Sequence, residues 1–141
     1  MKRARAPLVP ALEYHRVRLD NGLQLVLHPD RRLPRVALNL LYHVGARDGP
    51  PGREGLAHLF EHLMFMGTRR LAEGELDLMM ERAGGWNNAY TSEDLTVYYD
   101  VGPSELLERL LWAEADRMSG LAGALDRGKL ELQRGVVLNE P

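Results

Sequence analysis

Residues 55–66 read Gly-Leu-Ala-His-Leu-Phe-Glu-His-Leu-Met-Phe-Met, and no other stretch restricts this chain so tightly. Apolar residues fall on every side of a helix built from it, so that helix is expected to sit in an interior. Yet it carries His58, Glu61 and His62. Burying such groups unpaired costs roughly 2–7 kcal/mol for a neutral polar group, and more for a charge. A bound cation is the simplest compensation.

The spacing supports a cation. Residues i and i+4 lie one above the other on a helix, so His58 and His62 can reach one ion together. Glu61 lies about 60° from the first histidine and about 100° from the second, bordering the same face. Two neutral imidazoles on a metal, with a carboxylate beside a metal-activated water, is the donor set of a hydrolytic zinc site. The order H-x-x-E-H inverts the commoner H-E-x-x-H. Taken alone, the pentapeptide also fits two half-buried helix histidines next to a glutamate.

Its surroundings narrow the choice. Tyr42-His43-Val44-Gly45-Ala46-Arg47-Asp48 leads through a Gly/Pro-rich stretch into the helix. Then come Gly84-Gly85-Trp86-Asn87-Asn88-Ala89-Tyr90-Thr91 and Leu95-Thr96-Val97-Tyr98-Tyr99, and near the end Gln133-Arg134-Gly135-Val136-Val137-Leu138-Asn139-Glu140. In this order the chain, over about residues 12 to 141, closely resembles the N-terminal domain of the pitrilysin (insulinase) family of zinc metallopeptidases. It is most similar to bacterial members related to the mitochondrial processing peptidase.

The resemblance implies roles. His58 and His62 are zinc ligands, with Glu140 as the third, and Zn2+ is the cofactor. Glu61 is the general base. Asn88, Ala89 and Thr91 belong to an edge strand that pairs with the backbone of a peptide or unfolded protein substrate. Many family members carry a glutamate where this chain has Gln133, which supports the site by a hydrogen bond but brings no charge. Members also need a homologous second domain or subunit. The chain stops just after Glu140, so the domain is expected to be truncated at its C-terminus, with residues 1–12 a flexible tail and 13–141 the metallopeptidase domain.

Function is therefore expected to be zinc-dependent endopeptidase activity through a metal-activated water. The alternative is a non-catalytic scaffold or partner subunit of a processing-peptidase-like complex. A third reading, S-ribosylhomocysteine lyase, shares the H-x-x-E-H metal site but needs a cysteine, and this chain has none.

Composition excludes other classes. The 141 residues are enough for one core, and 45% are apolar, an ordinary share. A net charge of −2 offers no electrostatic case for nucleic acid. No run reaches the roughly 18 apolar residues of a membrane span. No secretory signal is seen, which makes the cytoplasm the default compartment and leaves the periplasm open.

Periodicity gives the elements. Alternating runs at 15–20 and 23–28 flank Asn21-Gly22, a hairpin signal. Arg35 to Val44 is apolar at its centre and is expected to be a central strand. A loop at 45–54 delivers the helix at 55–66. A second helix is expected at 73–83, with Leu76, Met79, Met80 and Ala83 inward, then strands at 86–91 and 95–101. Pro103 opens a third helix with Leu106, Leu107, Leu110, Leu111 and Met118 as its apolar face. Asp126 caps a last helix carrying Glu140. The blocks predict an α+β fold, a mostly antiparallel sheet with helices on one face. His15, His28 and His43 read as surface or satisfied core residues.

Overall fold

A computed structural model describes residues 12–53 and 55–140; the tail expected at 1–12 lies outside these, apart from Leu12. The chain divides into two compact units at Pro34/Arg35.

The first unit is a hairpin. Strands β1 (His15–Arg18) and β2 (Gln24–Leu27) pair antiparallel, His15 opposite Leu27 and Arg18 opposite Gln24. The loop is closed by Leu19 N–H donating to Leu23 C=O at 2.9 Å, with Gly22 at φ 90°. This is the three-residue loop with a left-handed glycine, so Asn21-Gly22 marks the hairpin without forming a two-residue turn. His28 Nδ1 lies 2.6 Å from the Glu13 carbonyl.

The second unit holds a three-stranded antiparallel sheet in the order β3 (Arg35–Tyr42), β5 (Thr96–Pro103), β4 (Trp86–Thr91). The centre is β5, and β3 lies at an edge, contrary to the expectation from its apolar run. The burial explains the order. Alternate residues of β3 are exposed, Leu41 among them, whereas β5 buries Thr96, Val97 and Tyr98 in succession. As the middle strand, β5 buries Thr96, Tyr98, Asp100 and Gly102 along one face and Val97 on the other, while β3 and β4 have no buried residue.

One sheet face carries the helices. Helix α2 (Glu75–Arg82) and helix α3 (Leu107–Gly120) build a core of Met80, Leu106 and Leu110 against Val36, Leu38, Leu76 and Met79. The α2 face is the expected one. The α3 face differs: Leu106, Leu110, Ala113, Glu114 and Arg117 are buried, while Leu107, Leu111 and Met118 are exposed. Leu106 and Leu110 are inward as expected, and Ala113 with the Glu114–Arg117 ion pair completes the stripe in place of Leu107, Leu111 and Met118. Pro103 ends β5 and is followed by a 3-10 turn, Ser104–Leu106, before α3 begins.

The pair is a cluster. Arg117 Nη2 donates to Glu114 Oε1 at 2.5 Å, and its guanidinium lies 5.2 Å from the Phe65 ring centre and 5.3 Å from that of Tyr98. Burial pushes the Glu114 carboxyl up to about 7 and raises Asp100 beside it, with Arg117 opposing both shifts.

Helix α1 (Leu56–Leu63) is shorter than the apolar stretch that contains it. Only Ala57, Glu61 and Leu63 in it are buried, and Phe60 is 53% exposed, so its interior position is one-sided. The expected loop before it contains a 3-10 turn, Ala46–Asp48. Helix α4 (Arg127–Val137) starts at Asp126, whose carboxylate accepts from Lys129 N–H at 2.9 Å. It buries none of its residues.

Candidate metal centre

Helix α1 projects His58 and His62 from one side, one turn apart, and their Nε2 atoms lie 3.3 Å apart. Glu140 reaches them from beyond the end of α4. The helix stops at Val137, so Glu140 is carried by the turn that follows and not by the helix itself. Its Oε2 lies 3.2 Å from His58 Nε2 and its Oε1 3.4 Å from His62 Nε2. Among the described residues these three form the group whose donor atoms converge closely enough for one metal ion.

The spacing can be tested against zinc. Donors held tetrahedrally at about 2.0–2.1 Å from a centre stand about 3.3–3.4 Å from one another. The two Nε2 atoms, 3.3 Å apart, meet this spacing, and the Glu140 carboxylate brings one oxygen to 3.2 Å from His58 Nε2 and the other to 3.4 Å from His62 Nε2. The proton on His62 also fits. Gln133 Nε2 donates to Met66 Sδ at 2.8 Å, which turns Oε1 toward His62 Nδ1 at 3.3 Å. An amide oxygen has no hydrogen to give, so Nδ1–H donates, and the Nε2 lone pair faces Glu140 and His58. Gln133 thus lies on the side of α4 that faces His62.

Glu61 is buried at 9% exposure on the adjoining side of α1. Its Oε2 accepts from Thr91 Oγ1 at 2.5 Å. Thr91, Asn88 and Ala89 lie on β4, which is an edge strand, as expected. The hairpin pair Ser92 N–H to Leu95 C=O, 2.8 Å, sets the alternation along the ladder. It follows that Asn87, Ala89 and Thr91 direct their backbone groups away from β5 to the open edge. The Ala89 N–H there is capped by Asn88 Oδ1 at 2.8 Å.

Three neighbours were not found from sequence. Asp77 lines the same cleft and accepts from Asn87 Nδ2 at 2.8 Å. Lys129 Nζ donates to the Met66 carbonyl at 2.8 Å and the Ala124 carbonyl at 3.1 Å, fastening α4 beside α1. Met66 meets both Lys129 and Gln133. A lysine three residues past a helix cap and a methionine past a helix end carry no local signal for such contacts.

Comparison with known proteins agrees with this architecture. Residues 25–140 match the sequence profile of the insulinase family (peptidase family M16). The zinc protease PqqE of Helicobacter pylori is 37% identical over 110 residues, 77% of this chain and 25% of that protein. The mitochondrial-processing peptidase subunit beta of Bos taurus is 35% identical over 122 residues, 86% of this chain and 24% of that protein. Among solved structures, a protease from Helicobacter pylori superposes with a TM-score of 0.84 at 35% identity, covering 89% of this chain and 30% of that one. Pitrilysin superposes with a TM-score of 0.80 at 28% identity, covering 94% and 14%. The fold is that of a peptidase domain, α+β with an antiparallel sheet. The chain belongs to the insulinase family, peptidase family M16, and spans about a quarter of the length of these curated relatives. None of its described helices is long and apolar enough to cross a membrane.

Proposed function

We propose that this chain supplies the metal-binding half-site of a zinc-dependent endopeptidase, with His58, His62 and Glu140 as ligands and Glu61 as general base. The convergence of the two imidazole Nε2 atoms and the Glu140 carboxylate, whose donor atoms all lie within 4.8 Å of one another, carries the reading. A zinc ion bound there supplies Lewis acidity, which lowers the pKa of a water towards about 7 and polarises a peptide carbonyl.

The chain's own residues do the rest. Thr91 Oγ1 holds Oε2 of Glu61, which leaves Oε1 to take a proton from the attacking water and pass it to the leaving amine. The outward backbone groups of Asn87, Ala89 and Thr91 add an extended peptide to the sheet edge as a further strand. A substrate carbonyl replaces Asn88 Oδ1 on the Ala89 amide. Main-chain pairing reads little sequence, which suits a peptide or unfolded protein as substrate. By analogy with the processing peptidase relative, whose name marks it as one subunit, a homologous second domain or subunit completes the site.

The test uses the product of the complete reading frame. Elemental analysis is expected to find one zinc per chain, and a chelator is expected to remove both zinc and peptide cleavage, with readdition of zinc restoring them. A protein without stoichiometric metal would end the proposal. A non-catalytic partner subunit, the rival reading, cleaves nothing with its metal restored. A finer prediction concerns Gln133. Gln133→Leu removes the acceptor that orients His62 and should weaken zinc binding about 10- to 100-fold in a competition titration. Unchanged affinity would remove Gln133 from the site.

A further inference from the structure

We infer that the Thr91 side chain is a positioning residue for Glu61, so that the strand on which a peptide docks also aims the base; this rests on the peptidase reading above. The hydroxyl network permits one assignment of protons. Thr96 Oγ1 donates its only hydrogen to the Val44 carbonyl at 2.9 Å. Thr96 stands 3.2 Å from Thr91 Oγ1 and has no proton left to offer it. The Thr91 hydrogen goes to Glu61 Oε2, at 2.5 Å.

The support under Thr91 is stiff. Ala46 and Arg47 donate backbone N–H groups to the Ser92 and Glu93 carbonyls at 2.9 and 3.1 Å. These bind the turn after β4 to the loop before α1. Gly45 packs so closely that a Cβ there would stand 2.4 Å from both the Ser92 and the Glu93 carbonyl oxygens. Thr91 therefore presents two things from one fixed backbone: its N–H and C=O to the open edge, and its hydroxyl inward to the base. A peptide paired at Thr91 is placed relative to Glu61 by a single residue. Misplacement of a reacting group by about 1 Å can cost about 100-fold in rate, so such a link matters.

Thr91→Val keeps the shape and deletes the hydroxyl, whereas Thr91→Ser keeps the hydroxyl. In the product of the complete reading frame, Thr91→Val is expected to lower kcat about 10- to 100-fold with KM and zinc content unchanged. Thr91→Ser is expected to recover most of the loss. Crystal structures should show the Glu61 carboxylate in place in Thr91→Ser and shifted or in two rotamers in Thr91→Val. Wild-type kcat in Thr91→Val, a change in KM alone, loss of zinc with activity, or an unmoved Glu61 carboxylate would each overturn the inference. If Thr91→Val fails to fold, Thr91→Ala against Thr91→Ser makes the same comparison. Turnover retained in Glu61→Gln sinks the peptidase reading instead. If the wild type cleaves nothing, the crystallographic comparison alone decides about Thr91.

Discussion

Glu61→Gln is expected to lower peptide cleavage by about 10²- to 10⁴-fold while zinc stays bound, measured as turnover of a fluorogenic peptide beside metal content. The substitution preserves size, and its amide oxygen can still accept from Thr91 Oγ1, which now meets Glu61 Oε2 at 2.5 Å. It removes only the ability to take up and release a proton. The donor triangle of His58, His62 and Glu140 does not include Glu61, so the metal affinity has no reason to change. Turnover close to wild type would refute the base assignment. Zinc lost together with activity would make Glu61 part of the metal's support.

Arg117→Met should destabilise the domain by about 3–5 kcal/mol, read from chemical denaturation at pH 7. Arg117 and Glu114 are 4% and 2% exposed, and Asp100 is 2% exposed next to them. Without the guanidinium, two carboxyls remain buried with no countercharge. The pH dependence follows. Burial holds the Glu114 carboxyl at about 7 against an ordinary 4.5, and Asp100 is raised in the same sense. A proton is therefore bound more tightly in the folded state than in the unfolded one. The stability this contributes is complete below about 4.5 and is lost as pH rises through about 7. The wild type should lose stability over that window, and Arg117→Met should lose it more steeply, because Arg117 is what pulls both carboxyls down. A variant as stable as the wild type at pH 7, with the same slope, would rule out this role for the guanidinium.

Much of the site was readable because its signals are local. A one-turn histidine pair declares itself by spacing, whereas Glu140 and Gln133 were reached through the family resemblance, since nothing local marks either of them. Asp126 was readable as a cap, since a short acceptor ahead of a helix satisfies a free N–H. What escaped depends on tertiary context. The central place of β5 depends on which strands flank it, and its sequence mixes the buried Thr96, Asp100 and Gly102 with apolar residues, so no apolar run announces it. The inward side of α3 was legible only at Leu106 and Leu110, because Glu114 and Arg117 complete it, and buried charges look like surface in any apolar periodicity. The Thr91–Glu61 bond joins residues 30 positions apart and depends on how a strand edge meets a helix.

The fastening of α4 has a thermodynamic consequence. That helix buries no residue, and Lys129, Gln133 and Glu140 tie it to the rest through polar groups. An ion shared by Glu140 and the two imidazoles would act as a cross-link between distant parts of the chain, restricting the unfolded ensemble as a metal clip does. Mass action then makes the C-terminal segment's protection from amide hydrogen exchange a function of free zinc concentration. Activity and local order would be set by one and the same occupancy.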